Sequence, residues 1–337
     1  MLTEKKISIV VPFHNEEKNV RALYEETVAA MSEVTPDYEL VFVDDKSLDG
    51  TFRVLEGLVK EDPRVVVVKL RRNHGQTGAL AAGFDHARGD IVIPMDGDLQ
   101  HDPADIPEMV KCMVEGDYDI VSGWRKNRRD PFLSRKLPSR IANWLMAKLS
   151  GLHIHDFGTT FKVYRREVLE QVNLYGDLHR FIPALALSHG ARVVEVPINN
   201  RKRLHGKSHY NIMRTFRVLF DLLTIRFILK YIQRPIHFFG IPGILCFLAG
   251  AGIGSFLLVK KVLTGGSTLV EHGPLLLLAV MLLLAGVFLI CMGLLGELLT
   301  RIYFEHGDKT IYAVDRVLRH EPKPPPRRKG REEGGKA

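Results

Sequence analysis

The stretch Asp90-Ile91-Val92-Ile93-Pro94-Met95-Asp96-Gly97-Asp98-Leu99-Gln100-His101-Asp102-Pro103 decides how the rest of the chain is read. Its first part is a short β-branched run, which predicts a strand over Asp90 to Pro94. Its second part is a turn with carboxylates at i and i+2. Asp96 and Asp98 can converge there on one divalent ion, and Gly97 lets the backbone approach. Hard oxygen ligands suit magnesium or manganese, ions that also take phosphate oxygens. A bare Asp-x-Asp pair is a weak signal, and its position directly after a strand makes it a strong one.

Upstream, Ile7 to Val11, Tyr38 to Val43 and Val65 to Leu70 also read as strands. Helical patterns cover Glu16 to Met31, Asp49 to Lys60 and Gln76 to His86, and Asp105 to Val114 follows the fourth strand. This alternation predicts an α/β fold with a mainly parallel sheet covered on both faces, and ligands of such sheets bind at the carboxyl ends of the strands. The polar clusters fall there: Pro12-Phe13-His14-Asn15-Glu16, Asp44-Asp45-Lys46-Ser47, Arg71-Arg72-Asn73-His74-Gly75 and the Asp96 turn. Four polar strand ends would be costly in a core, so they mark a ligand site. Asp44 and Asp45 can be helix caps, since Asp49 begins a helix, or can accept hydrogen bonds from a ribose or a base.

Composition limits the alternatives. With 46% hydrophobic residues, 26% charged residues and three cysteines, the chain is neither disordered, nor collagen-like, nor a disulfide scaffold. The net charge of +8 is confined to two patches. Residues 121–150 carry +7 and residues 199–237 carry +8, leaving the rest at −7. A mean hydropathy of −0.01 hides two uncharged 24-residue runs, Ile236 to Val259 and Gly273 to Gly296, each long enough to cross a bilayer. The short linker between them predicts a hairpin, and the flanking Arg301, Lys309, Arg316 and Arg319 place both of its ends in the cytoplasm. Lys260 and Lys261 in the linker argue the other way. The run Ile7 to Phe13 is too short for a signal peptide and is interrupted by Pro12. Cys246 and Cys291 lie in the spans and Cys112 in a cytoplasmic segment, so no disulfide is expected. Amphipathic helices are expected over Arg135 to Gly151 and Arg214 to Ile232, where nearby spans favour lipid headgroups over nucleic acid.

Together these motifs resemble the family-2 glycosyltransferases of GT-A fold, and more closely the polyprenyl-phosphate branch, dolichol-phosphate mannose synthase-like. The match covers nearly the whole chain up to about residue 318. It rests on Pro12-Phe13-His14-Asn15-Glu16, Val43-Asp44-Asp45, Asp49-Gly50-Thr51, Arg72-Asn73-His74-Gly75-Gln76, the Asp96 to Pro103 turn and Gly206-Lys207-Ser208. Asp156-Phe157-Gly158-Thr159-Thr160-Phe161-Lys162 and Gly293-Leu294-Leu295-Gly296-Glu297 are similar to the bacterial undecaprenyl-phosphate members. Two positions depart from the pattern: Lys46 stands where the family usually has Gly, and His209 where a Lys is common.

The resemblance implies a nucleotide-diphosphate sugar donor, held by Pro12, His14, Glu16, Asp44, Asp45, Arg72, Asp96, Gly97 and Gln100. It implies Mg2+ or Mn2+ on Asp96, Asp98 and Gln100, and an oligomer such as a tetramer. It likewise implies a polyprenyl phosphate acceptor, and Arg125, Arg128, Arg201 and Ser208 are the residues expected at its phosphate. Asp98, Asp156, Arg203 and Lys207 are the candidate catalytic residues, Asp156 as a sugar-positioning group, an auxiliary base or a plain loop cap. Gly206-Lys207-Ser208 is no P-loop, for Arg201 stands where that motif needs Gly. The expected reaction is inverting transfer to the lipid phosphate, giving a carrier-linked sugar for envelope glycan modification. A processive polysaccharide synthase would carry a Gln-x-x-Arg-Trp motif that the chain lacks. A non-enzymatic membrane adaptor would not need the Asp96 and Asp98 pair. The expected division is a catalytic domain at 1–210, a juxtamembrane helix at 211–235, and two spans within 236–299 (about 236–259 and 273–298). A cytoplasmic segment at 300–320 and a disordered basic tail at 321–337 complete it.

Overall fold

The structure is a computed structural model that describes residues 1–126, 146–148, 151–171, 178–201, 235–264, 268–305 and 311–320. The expectations placed on Arg128, Arg203, Lys207, Ser208, His209, the helix at 214–232, the tail at 321–337 and most of the helix at 135–151 lie outside these residues.

Each strand and helix expected before residue 117 forms, with ends shifted by a residue or two. Strands β1 (Ile7–Phe13), β2 (Tyr38–Asp44), β3 (Val65–Leu70) and β4 (Ile91–Pro94) alternate with helices α1 (Glu17–Met31), α2 (Thr51–Glu61) and α3 (Gly75–His86), and α4 (Ile106–Gly116) follows. Then come β5 (Ile120–Trp124), β6 (Lys162–Arg165), α5 (Arg166–Glu170), α6 (Ile182–Ser188) and β7 (Val193–Pro197).

Side chains alternate across the sheet. Ile9, Val11, Leu40, Phe42, Val65 and Val67 pack with residues of α1, α2 and α4 on one face. Val10, Val41, Val43, Val66 and Val68 pack with Ala79, Ala82 and Phe84 of α3 on the other. Each full burial of a Val, Ile or Phe contributes about 1.5–3 kcal/mol, which is why strands apolar on both faces settle in the middle of the sheet. Gly83 lets α3 lie close, for a Cβ there would stand 2.2 Å from Val10 Cγ1.

The strand order is β7-β5-β6-β4-β1-β2-β3, with one further strand at the β3 edge. β1 pairs in parallel with both β2 and β4. The chain winds outward from β1 through β2 to β3 and then returns to the other side of β1 as β4. That reversal opens a crevice at the carboxyl ends of β4 and β1. β6 enters antiparallel between β4 and β5, which brings the turn before Lys162 to the same edge.

Within the segment expected at 300–320 lies β8 (Val314–Leu318), which pairs antiparallel with β3 and joins the sheet. β3 would otherwise present an open row of backbone donors and acceptors, and β8 covers it. Asp315 and Arg316 interrupt the apolar character of this five-residue strand, so its periodicity is weak in the sequence.

A second compact unit holds the helices α7 (Pro235–Thr264) and α8 (Thr268–Glu305), the latter with a break at His272. Both are long and apolar enough to cross a membrane, and their apolar windows are only 17% and 11% buried, unlike core helices of a soluble protein. α7 runs to Thr264, past the expected end at Val259. The two pack through small residues seven apart: Gly243 and Gly250 on α7, and Ala279, Gly286 and Gly293 on α8. A Cβ on Gly286 would stand 2.7 Å from the Gly243 carbonyl oxygen, and one on Gly250 would stand 2.8 Å from that of Ala279. Backbones this close exclude larger side chains.

Gly286→Leu should therefore destabilise the hairpin by about 1–3 kcal/mol. Gly252→Leu, at a position with open space around it, should change stability by less than about 0.5 kcal/mol. Thermal unfolding of the two variants in detergent measures the difference.

Candidate functional site

Left-handed backbone marks all four strand ends. Asn15 (φ 57°) follows β1, Lys46 (φ 57°) follows β2, Gly75 (φ 72°) follows β3 and Leu99 (φ 59°) follows β4. Three of these are not glycine, so the turns hold a conformation that side chains disfavour. Lys46 keeps the turn shape that a glycine would adopt freely.

At the end of β4, Gly97 packs where no side chain fits: a Cβ would stand 2.6 Å from the Phe13 ring and 3.0 Å from the Pro12 carbonyl oxygen. This contact clamps the Asp96-Gly97-Asp98 turn onto β1. Asp98 is buried and accepts the Gln100 N–H at 3.1 Å. Gln100 also holds the Arg201 N–H through its carbonyl, so its described contacts come from its backbone. Asp96 Oδ1 accepts from Gln76 Nε2 at 2.6 Å, and the same amide nitrogen donates to Thr160 Oγ1 at 3.0 Å. His101 stacks on Phe161 and accepts the Asp96 N–H through Nδ1. Burial pushes its imidazole toward the neutral form, against the nearby Asp96.

Asp44, fully buried at the end of β2, accepts the Ser47 N–H through Oδ1, while Oδ2 has no hydrogen-bond partner among the described residues. A buried carboxylate oxygen in that state is an acceptor awaiting a donor. Asp45 differs from the ligand-binding expectation. Its oxygens take the N–H groups of His74 (2.7 Å) and Gly75 (2.9 Å), capping the start of α3. Burial pushes its carboxyl pKa up, opposed by those two bonds. Ahead of α2, Asp49 accepts from the Thr51 N–H and hydroxyl. His14 Nδ1 donates to the Asp45 carbonyl at 2.8 Å, Glu16 accepts from Asn19 at 2.5 Å, and Arg72 is exposed after β3.

Two expected phosphate ligands have carboxylate partners. Arg201 forms a fork with Asp102 (3.1 and 2.7 Å) and reaches Glu26 at 2.6 Å, so it fastens the loop after β7 to α1 rather than presenting its fork to a ligand. Arg125 forks onto Asp156 at 2.7 and 3.0 Å, and Asp156 also accepts the Gly158 N–H at 3.1 Å. Of the three roles considered for Asp156, this geometry disfavours the base, because a carboxylate engaged by a guanidinium gives up basicity.

Gln76 and Lys162, motif residues with no expected role, both belong to this site. Gln76 bridges Asp96 to the 156–161 turn. Lys162 is fully buried, and its Nζ donates to the Thr159 carbonyl. Burial pushes its ammonium down to about 7, with Asp156 and Asp96 pulling the other way. A lysine inside the apolar run Phe161-Lys162-Val163-Tyr164 was the available signal.

The donor chemistry fits a divalent cation shared with a ligand. Among the described residues no group of three His, Cys, Asp or Glu gathers to make a closed cage. Asp96 and Asp98 would supply two hard oxygens and leave the other positions to phosphate and water, the usual habit of Mg2+ or Mn2+.

Residues 8–172 match the model of glycosyl transferase family 2. The chain is 40% identical to dodecaprenyl-phosphate galacturonate synthase of Rhizobium johnstonii, over 93% of each chain. It is 34% identical to undecaprenyl-phosphate 4-deoxy-4-formamido-L-arabinose transferase of Aeromonas hydrophila, over 94% of each. Glucosyl-3-phosphoglycerate synthase of Mycobacterium tuberculosis, solved with Mn2+, uridine diphosphate and phosphoglyceric acid, superposes with a TM-score of 0.51 at 19% identity. The superposition covers 66% of this chain and 78% of that one, and shows the shared fold.

Two stability measurements check this geometry. Lys46→Gly should raise stability by about 1 kcal/mol by relieving the left-handed turn. Arg125→Ala should lower it by about 3 kcal/mol, because Asp156 loses its buried counter-charge, and adding Asp156→Ala should recover most of that loss. Thermal or chemical denaturation reads both.

Proposed function

Because the chain belongs to glycosyl transferase family 2, among its polyprenyl-phosphate glycosyltransferases, we propose that its strand-end crevice binds a nucleotide-diphosphate sugar. The sugar is then transferred, with inversion, to a membrane polyprenyl phosphate of the undecaprenyl class. The observation that carries this reading is the Asp96-Gly97-Asp98 turn, clamped on Pro12 and Phe13 beside the buried Asp44. Asp44 Oδ2 accepts from the nucleoside, where a base N–H or ribose hydroxyl fills its missing hydrogen bond. Pro12, His14, Glu16 and Arg72 complete the wall on the donor side. Asp96 and Asp98, with Gln100 beside them, hold Mg2+ or Mn2+, which when bound neutralises charge on the departing diphosphate.

The acceptor brings its own nucleophile. A phosphate monoester has a second pKa near 6, so at neutral pH it is largely the dianion. Its oxygen forms the bond to the anomeric carbon as the bond from that carbon to the diphosphate breaks, and no proton has to be removed first. A strong general base is unnecessary, which agrees with Asp156 being engaged by Arg125 and Gly158. Asp156 positions Arg125, whose guanidinium orients the incoming phosphate, and Arg128, Arg203, Lys207 and Ser208 add charge and hydrogen bonds to the phosphates. Rate then derives from positioning and charge stabilisation.

The apolar helices hold the enzyme in the inner membrane, with the catalytic unit and both termini in the cytoplasm, where basic flanking residues favour them. The two curated relatives are named for a galacturonate and a formamido-arabinose, so a donor panel should contain nucleotide forms of both.

Purified protein in detergent, given undecaprenyl phosphate and labelled nucleotide sugars, should label the lipid from at least one donor. A chelator should abolish labelling and Mn2+ or Mg2+ should restore it. Asp98→Ala should lower kcat/KM by about 100-fold or more. Unchanged turnover in Asp98→Ala at saturating metal would refute the metal assignment.

A further inference from the structure

Lys162 lies fully buried between two strands that offer it no counter-charge. On one side β4 reads Ile-Val-Ile-Pro, and on the other β5 reads Ile-Val-Ser-Gly-Trp, with Ser122 directly opposite. The carboxylates acting on its ammonium are Asp156 and Asp96, and the cations that oppose it are Arg125 and Arg180. A buried charge among apolar strands is a weak source of stability, since an apolar side chain of similar volume is often as stable or more so. Its place therefore calls for an explanation in the site.

We propose that Lys162 is a positioning residue for sugar transfer: its ammonium fixes the 156–161 turn, and through Thr160 and Gln76 that turn orients the Asp96 carboxylate toward the donor diphosphate. The path is continuous. Lys162 Nζ donates to the Thr159 carbonyl. The next residue, Thr160, receives Gln76 Nε2 at 3.0 Å, and Gln76 donates its other amide hydrogen to Asp96 Oδ1 at 2.6 Å. The same turn carries Asp156, which holds Arg125. One buried lysine thus sets both the acid on the donor side and the guanidinium on the acceptor side. Groups that orient metal-binding carboxylates from behind commonly change metal affinity or rate by about 10–100-fold when removed.

This inference rests on the donor and metal reading above, and the experiment separates the two. Full-length wild type, Asp98→Ala, Lys162→Met, Gln76→Leu and the Lys162→Met/Gln76→Leu double variant are compared for transfer to undecaprenyl phosphate at saturating donor and Mn2+. Melting temperatures are measured, and Mn2+ alone is titrated by thermal shift. Lys162→Met and Gln76→Leu should each lower kcat by about 10–100-fold. Each should also raise the half-saturating Mn2+ concentration about tenfold. The melting temperature of Lys162→Met should stay level or rise. The double variant should be no worse than about threefold below the poorer single variant, since both act on one path.

Absence of transfer by wild type overturns the function reading, full activity of Asp98→Ala overturns the metal assignment, and either result takes this inference with it. If those two behave as expected, a Lys162→Met kcat within about threefold of wild type overturns the positioning role alone. So do effects of the two substitutions that multiply independently, or a lowered melting temperature with normal turnover per folded enzyme. Should Lys162→Met not fold, Lys162→Gln takes its place in the same comparison, removing the charge while keeping a donor.

Discussion

The clamp of Gly97 on β1 is the constraint from which the site follows. β1 is buried between β4 and β2, so three strands end side by side, and the turn leaving β4 has to cross the end of β1 at contact distance. Only a residue without a Cβ fits against Phe13 and the Pro12 carbonyl, and the two aspartates on either side inherit their positions from that fit. Phe13 is itself held edge-on by Phe42, 5.5 Å away between ring centroids. The apolar core thereby sets the geometry of the acids.

Sharp left-handed turns at Asn15, Lys46, Gly75 and Leu99 end the strands at one edge of the sheet. Strain of this kind persists where surrounding structure over-determines the backbone. Here the bonds that hold the turns are visible: Asp44 to Ser47, Asp45 to the start of α3, Asp98 to Gln100. Many of the polar residues at the strand ends therefore spend part of their hydrogen-bonding capacity on shaping the turns, and Asp44 Oδ2 stands out by having no partner among the described residues.

The charged residues divide in a similar way. Arg201 and Asp45 are occupied with joining segments of the fold, whereas Arg125, Asp156 and Lys162 link the loop after β5 to the turn that faces Asp96. A dianionic acceptor relieves the enzyme of proton abstraction, so fixed charge in a rigid frame is the chemistry such a site needs. The apolar helices, long enough to cross a membrane, pack through small residues and leave their larger side chains exposed.

By itself the sequence determined the order of strands and helices up to α4, the two apolar helices and the acid pair of the β4 turn. Each of these is written in local periodicity or in residues adjacent along the chain. Tertiary structure alone decided which polar residues face a ligand and which face one another. Asp45 capping α3, Arg201 bound to Asp102 and Glu26, β8 covering β3, and Gln76 bridging Asp96 to Thr160 all join segments distant in sequence. A hydrogen bond between such segments depends on where the chain returns in space, and composition and spacing carry no record of that return.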